Sequence, residues 1–307
     1  MASIDLTIGA YQIGVLLSFV LLGVLLVQTY VYFIRFPDDT AKTKTLVAFV
    51  GFCDIVQAAC IAAALYDYTI TGFGDFNRLS RAPTTLFIAI FFSGPIGAFV
   101  QGFFALRIYV LSKKLYIPCA CWVLSFFRCI GTTMVFITAV RTDTGTFAAY
   151  LAHWQWLVTS IWVISATNDL LIAVTLAFLL FRKRGNAHPR TIQLVNKMIA
   201  YTIETGMVTC AATFLTLVFF YAINQSFIFL AVFVVGTRLY SNSLLATLNS
   251  RIVLRELNEV NLSHIISPTR TQRNLPSSGV QVSKVTTVTH DRSYKDPPPQ
   301  EFEDSEA

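Results

Sequence analysis

Gly9–Ile34 reads GAYQIGVLLSFVLLGVLLVQTYVYFI, and none of its 26 residues is charged. As a helix rising ~1.5 Å per residue this run would be ~39 Å long, more than the ~30 Å hydrocarbon core of a bilayer. Comparable runs follow at Thr45–Tyr66, Thr84–Val110, Ile117–Val140, Trp154–Phe181, Leu194–Ala222 and Phe227–Leu248. In lipid each of them must be helical, because a lone strand would leave its backbone groups without partners. The sequence therefore predicts an all-α, polytopic membrane protein with seven transmembrane helices. Only Ile223-Asn224-Gln225-Ser226 separates the last two runs, and the polar pair in its middle favours a tight hairpin over one long helix.

Composition agrees. Of the 307 residues, 55% are apolar and 13% charged, and the mean hydropathy is +0.61. An ordinary soluble domain carries about 25% charged residues. That deficit excludes a disordered chain and argues against a soluble enzyme. The net charge of +6 and a pI near 9.0 raise nucleic acid as a partner. The placement of the charge points elsewhere: from residue 249 onward seven Lys/Arg stand against eight Asp/Glu, so the excess lies in short loops between apolar runs. Basic loops orient a protein in its bilayer, and no nucleic-acid partner is expected.

The loops after the first, third and fifth spans hold Arg35, Lys42, Lys44, Lys113, Lys114, Arg182, Lys183, Arg184 and Arg190. Those after the second, fourth and sixth hold only Arg78, Arg81 and Arg141. The positive-inside rule puts the first set in the cytoplasm, the N-terminus outside and the C-terminus inside. The first run is too long for a signal-peptide core and has no basic segment before it, so it reads as an uncleaved span. Tyr30, Tyr32 and Phe33 at the end of span one, and Trp154 and Trp156 at the start of span five, suit the interface.

Residues 1–248 thus form the transmembrane domain. Residues 249–266 alternate apolar and charged residues, with Val253, Leu257 and Val260 on one face, and predict a short amphipathic helix along the inner leaflet. Residues 267–307, with Pro297-Pro298-Pro299 and an acidic end, cannot build a core and read as a disordered cytoplasmic tail.

Ionisable groups inside a bilayer cost roughly 2.5–3.5 kcal/mol or more, so each needs a partner or a cavity. Six stand inside the spans: Asp54, Arg107, Arg128, Asp169, Glu204 and Arg238. Three are acidic and three basic, which allows complete pairing. At 100° per residue Lys197, Tyr201 and Glu204 share a face, as do Arg238, Asn242 and Asn249. Asp54, Arg128, Asp169, Glu204, Arg238 and Asn242 are accordingly the candidates for a ligand site or polar network, centred on spans five to seven. Such networks also serve simply to hold helices together. Gly94, Ala98 and Gly102 form a small-residue stripe on span three, and Pro95 predicts a kink there.

Other chemistries lack their residues. His153, His188, His264 and His290 all lie outside the spans, so no zinc site and no catalytic centre is expected. No lysine in span seven offers a retinal attachment point, and no phosphate-binding glycine loop occurs, so no cofactor is expected. The six cysteines, Cys53, Cys60, Cys119, Cys121, Cys129 and Cys210, fall within spans and predict packing roles, with Cys119 and Cys121 open to acylation near the inner face. Asn224-Gln225-Ser226 matches a glycosylation pattern but hugs the membrane, and is expected to be empty.

Four tracts carry a resemblance: Ala105-Leu106-Arg107-Ile108-Tyr109, Asn168-Asp169-Leu170-Leu171-Ile172, Tyr201-Thr202-Ile203-Glu204-Thr205-Gly206 and Tyr240-Ser241-Asn242-Ser243-Leu244-Leu245-Ala246-Thr247-Leu248-Asn249-Ser250-Arg251. In these the chain resembles the seven-span membrane proteins of mushroom-forming fungi whose C-terminal half carries a domain of unknown function, here about 165–251. The resemblance implies fold and membrane location, the plasma membrane ahead of an internal one, and leaves the activity open. The layout favours a receptor-like or sensory protein, in which Arg35, Lys113, Lys114, Arg182, Lys183 and Arg184 face a cytoplasmic signalling partner. A transporter or channel for a small solute, and a structural membrane protein without a ligand, are the alternatives.

Overall fold

The computed structural model describes residues 5–75, 80–141, 146–185, 189–223 and 226–266, with the backbone alone described over 183–203, at 205 and over 252–266. The expectations for the tail (267–307), for Lys183, Arg184, Lys197 and Tyr201 and for the Asn224 pattern fall outside the described residues or side chains. Seven long helices are present and no strand among the described residues. They are α1 (Ala10–Arg35), α2 (Ala41–Tyr66), α3 (Thr84–Ser112), α4 (Tyr116–Arg141), α5 (Phe147–Gly185), α6 (Pro189–Ala222) and α7 (Ile228–Ile266). Single π-helical turns, Asp5–Gly9 and Asp67–Thr71, precede α1 and extend α2.

Six stretches of helix are long and apolar enough to cross a membrane, and α6 contributes a shorter described apolar stretch, Gly206–Ala222. Their surfaces invert the soluble pattern. Leu16, Val20, Val27, Phe52, Phe126, Phe178 and Phe214 are all more than half exposed, while Asp54 and Arg238 are 0% exposed. So wide an apolar exterior is stable only when its solvent is itself apolar.

Each helix packs on its sequence neighbours, and α7 closes the ring on α1. α3 also touches α5 and α7, so α3 and α7 hold the middle. Their burial agrees: 61% of the most apolar window of α7 is buried, against 28% in α1 and α4. Short connections enforce antiparallel neighbours. The α3–α4 turn spans Lys113–Leu115, and Lys113 adopts the left-handed conformation (φ 58°) that ends a helix abruptly.

Two differences from the sequence reading concern helix ends. α5 begins at Phe147, ahead of the expected Trp154, and Trp154 itself is non-helical (φ −106°, ψ 16°), so a short helical segment meets the long one at a kink there. The segment 249–266 is helical, yet it continues α7 without a break and does not stand apart as a short separate helix. The stripe on α3 also differs: a Cβ at Gly94 would collide with Thr132 of α4, whereas one at Gly102 would meet nothing within 4 Å. The close approach therefore uses Gly94 and Gly97, one turn of helix, and α3 runs through Pro95 as one helix.

The apolar core falls into two parts. One, containing Tyr11, Ile61, Leu86, Phe147, Trp162 and Phe229, fills the end holding the loops after α2, α4 and α6. The other, containing Leu25, Tyr32, Val50, Phe104, Leu176 and Leu244, fills the end holding Arg35 and Lys113. Between them lies a layer of polar and charged side chains.

Candidate functional site

Arg238 anchors one side of that layer. It is paired with the carboxylate of Asp54 on α2, with both side chains 0% exposed. Its Nη1 also donates to the Asp54 carbonyl oxygen at 2.8 Å, and its Nε to Ser18 Oγ on α1 at 3.1 Å. Lipid cannot solvate either charge, so each is held by the other. The helix face that carries Arg238 is turned toward α1. Asn242 Nδ2 donates to Leu21 O at 3.1 Å, and Asn249 Nδ2, two turns on, donates to Gln28 O at 2.9 Å. The seven-residue step on α7 thus matches a seven-residue step on α1.

Asp169 anchors the other side. Tyr240 on α7 donates its hydroxyl hydrogen to Asp169 Oδ2, and Gln101 Nε2 on α3 donates to Oδ1 at 2.7 Å. Gln101 Oε1 accepts from Ser125 Oγ and from Asn168 Nδ2, both at 3.0 Å. The Tyr240 hydroxyl further lies 3.1 Å from Ser165 Oγ and 3.3 Å from Thr213 Oγ1. This network joins α3, α4, α5, α6 and α7. Because Arg238 and Tyr240 stand two residues apart on α7, one helix belongs to both halves of the layer.

Arg128 on α4 is 5% exposed, and its guanidinium carbon lies 5.0 Å from the centre of the Tyr240 ring. A buried cation over an aromatic face gains up to ~2 kcal/mol or more from the ring quadrupole. No described residue accepts a hydrogen bond from it, and Nη1 is buried without a partner. A Cβ at residue 97 would run into this guanidinium, so Gly97 provides the space it occupies.

Of the six candidates, the structure brings Asp54 together with Arg238 and Asn242, and Asp169 together with Arg128 through Tyr240. Glu204 joins neither group, since its side chain is exposed on α6. The network expected around spans five to seven is joined from earlier helices by Asp54 of α2, which pairs with Arg238, and by Arg128 of α4, which lies over Tyr240. Arg107 lies half-buried near the end of α3, outside the layer. Arg35, Lys113, Lys114 and Arg182 are exposed at one end of the bundle. At that end Arg251 Nη2 meets Asp39 Oδ2 at 2.6 Å, stacks on Phe36 (4.4 Å), and ties the α1–α2 loop to α7. Tyr32 donates to the same carboxylate oxygen at 2.9 Å. Cys121 is buried and Cys119 exposed, and all six cysteines are free.

Two cavities border the layer. The larger, partly open to the outside, lies between α3, α4, α5 and α7 on the side away from Lys113. Phe87, Phe147, Tyr150, Trp162, Phe229 and Phe233 wall it, and Arg128 stands at its layer end. The smaller, about 380 Å³, lies across the layer and is bounded by Gln101, Asp169, Thr209 and Tyr240. No cluster of metal-binding side chains occurs among the described residues.

Residues 165–252 match a family described as a family of unknown function (DUF6534). The matched stretch supplies Asp169, Arg238, Tyr240 and Asn242, while Asp54, Gln101 and Arg128 come from earlier helices. No curated protein and no solved structure matches the chain.

Proposed function

We propose that the chain is a seven-span, receptor-like protein of the plasma membrane, of the fungal kind it resembles, and not an enzyme. Its N-terminus faces outward and its basic end faces the cytoplasm. The orientation rests on the positive-inside rule applied to Arg35, Lys42, Lys44, Lys113, Lys114 and Arg182 at one end, against Arg81 and Arg141 at the other. The observation that carries the receptor reading is the larger cavity. It lies on the outward side of the charged layer, and Arg128 at its layer end rests on Tyr240, which bonds Asp169 and stands two residues from Arg238. Anything that moves Arg128 must disturb contacts of α7, whose far end carries Arg251 and the tie to Asp39. In this reading α7 is the element whose position would differ between two signalling states.

The experiment compares maleimide labelling of Cys119, exposed near the basic end, in the parent and in Tyr240→Phe. The receptor reading expects the rate to change several-fold. Equal rates in the two proteins, both measured folded, would end it. A signalling partner is then sought by co-purification of a GTP-binding protein.

The smaller cavity favours a second reading, transport of a small solute. Asp169 and Tyr240 border it from the layer, so the two cavities face each other across one bonded partition. Uptake of a labelled solute by proteoliposomes, lost on disrupting the partition, would support transport over signalling.

A further inference from the structure

The larger cavity combines two features seldom found together. Its walls are mostly aromatic and aliphatic, and at one end stands Arg128, 5% exposed, whose Nη1 is buried with no hydrogen-bond partner among the described residues. Buried polar groups are almost always paired, and an unpaired charged one costs more than any other. The nearby hydroxyls do not help. Ser93 Oγ donates to Ile90 O at 2.6 Å and Thr132 Oγ1 to Cys129 O at 3.0 Å, so both are turned to their own helices. Nor does Asp169 serve as acceptor: its two oxygens are taken by Gln101 and Tyr240, and it forms no ion pair with Arg128 within 4 Å. It offsets the charge at a distance and leaves the N–H groups unmet. The other buried carboxylate, Asp54, is held by Arg238.

We propose that this cavity binds a small amphipathic monocarboxylate, its carboxylate on Arg128 and its apolar body against Phe147, Tyr150, Trp162, Phe229 and Phe233. A guanidinium presents parallel N–H groups that fit a carboxylate two at a time, a match that an alcohol or an amide lacks. With a single cation on its lining, the cavity suits one negative charge and not the two of a phosphate monoester. The body must be largely apolar, because the walls are mostly aromatic and aliphatic, with Ser93, Thr132, Tyr150 and Trp162 the other polar side chains on them. Ligand pockets elsewhere have the same plan: mostly apolar walls and one or two placed polar groups that fix orientation. The inference deepens the receptor-like reading by naming the chemistry its cavity would take, and binding can succeed or fail independently of signalling.

The test uses the full chain in lipid nanodiscs, with equilibrium binding of radiolabelled 4-phenylbutyrate added from water and, separately, of labelled oleate loaded into the disc lipid. Saturable one-site binding is expected in one arm or both, and the arm that saturates identifies water or bilayer as the source. 4-Phenylbutanol and 4-phenylbutyramide should compete roughly tenfold or more less well than the acid. Arg128→Gln should lose a similar factor, and Arg128→Lys should keep part of it. Val158→Trp, which fills the cavity and leaves Arg128 in place, should abolish binding, and it keeps the proposal testable if Arg128→Gln fails to fold. Equal binding of acid and alcohol, unchanged binding in Arg128→Gln or Val158→Trp, or no saturable binding in either arm, overturns the proposal. Specific binding with no change in Cys119 labelling would leave the ligand chemistry standing and remove the receptor reading.

Discussion

Replacing Arg238 with methionine removes the cation of a pair in which both side chains are 0% exposed. The consequences can be counted atom by atom. Asp54 Oδ1 loses its donor, Oδ2 has none within hydrogen-bond distance, and the Ser241 hydroxyl is the one neighbouring donor left to the buried carboxylate among the described residues. Stranding one member of a buried pair costs about 3–5 kcal/mol, and a single neutral hydroxyl cannot replace the lost cation, so Arg238→Met falls within that range. The double replacement Asp54→Leu with Arg238→Met removes both charges together. Its residual cost is the two hydrogen bonds to Ser18 Oγ and to the backbone carbonyl of residue 54, together about 2 kcal/mol. With each single replacement at about 3–5 kcal/mol and the double at about 2, the double-mutant cycle should return a coupling energy on the order of 4–8 kcal/mol. Reversible unfolding by SDS titration in mixed micelles measures all four proteins, and Glu204→Gln serves as a control expected within about 0.5 kcal/mol of the parent. A single Arg238→Met variant as stable as the parent, or a double variant no better than either single, would refute the pairing.

Three further outcomes follow from the same geometry. Tyr240→Phe keeps the ring under Arg128 and deletes the donor to Asp169, so it should cost about 1–3 kcal/mol in the same unfolding assay, more than Thr213→Val, which touches only the rim of the network. Gly97→Ala should destabilise because its Cβ meets the Arg128 guanidinium, whereas Gly102→Ala, with nothing within 4 Å, should be neutral or stabilising; thermal melts in detergent compare the two. Arg251→Ala should leave global stability within about 1 kcal/mol, since its pair with Asp39 is partly exposed, but should raise amide exchange in the α1–α2 loop around Asp39.

The sequence exposes the helices and hides the partnerships. Charge is so costly in lipid that Asp54, Arg128, Asp169 and Arg238 declare themselves by occurring at all. Which of them meet depends on contacts 184 and 71 residues apart, as in Arg238–Asp54 and Tyr240–Asp169, and no local spacing encodes those. Glu204 gives the same signal as Asp169 and still lies exposed, because counting from span ends does not fix which way a helix is rotated. Gln101, Ser125 and Tyr240 were invisible for the opposite reason: an uncharged polar side chain is cheap enough in a bilayer to be common. Arg128 misleads in a third way. Counting acids against bases assigns it a carboxylate, yet the group it touches is an aromatic ring. The near-continuous α7 shows the limit of periodicity, since the change from apolar to alternating residues at Asn249 marks a change of surroundings and not a helix end.

All of this depends on the lipid-facing surface and on an odd number of crossings. Epitope tags on the first and last residues, digested in sealed and in permeabilised membrane vesicles, test that most directly. The account predicts that one tag is cleaved in intact vesicles and the other only after permeabilisation. Cleavage of both from the same face of intact vesicles would contradict it.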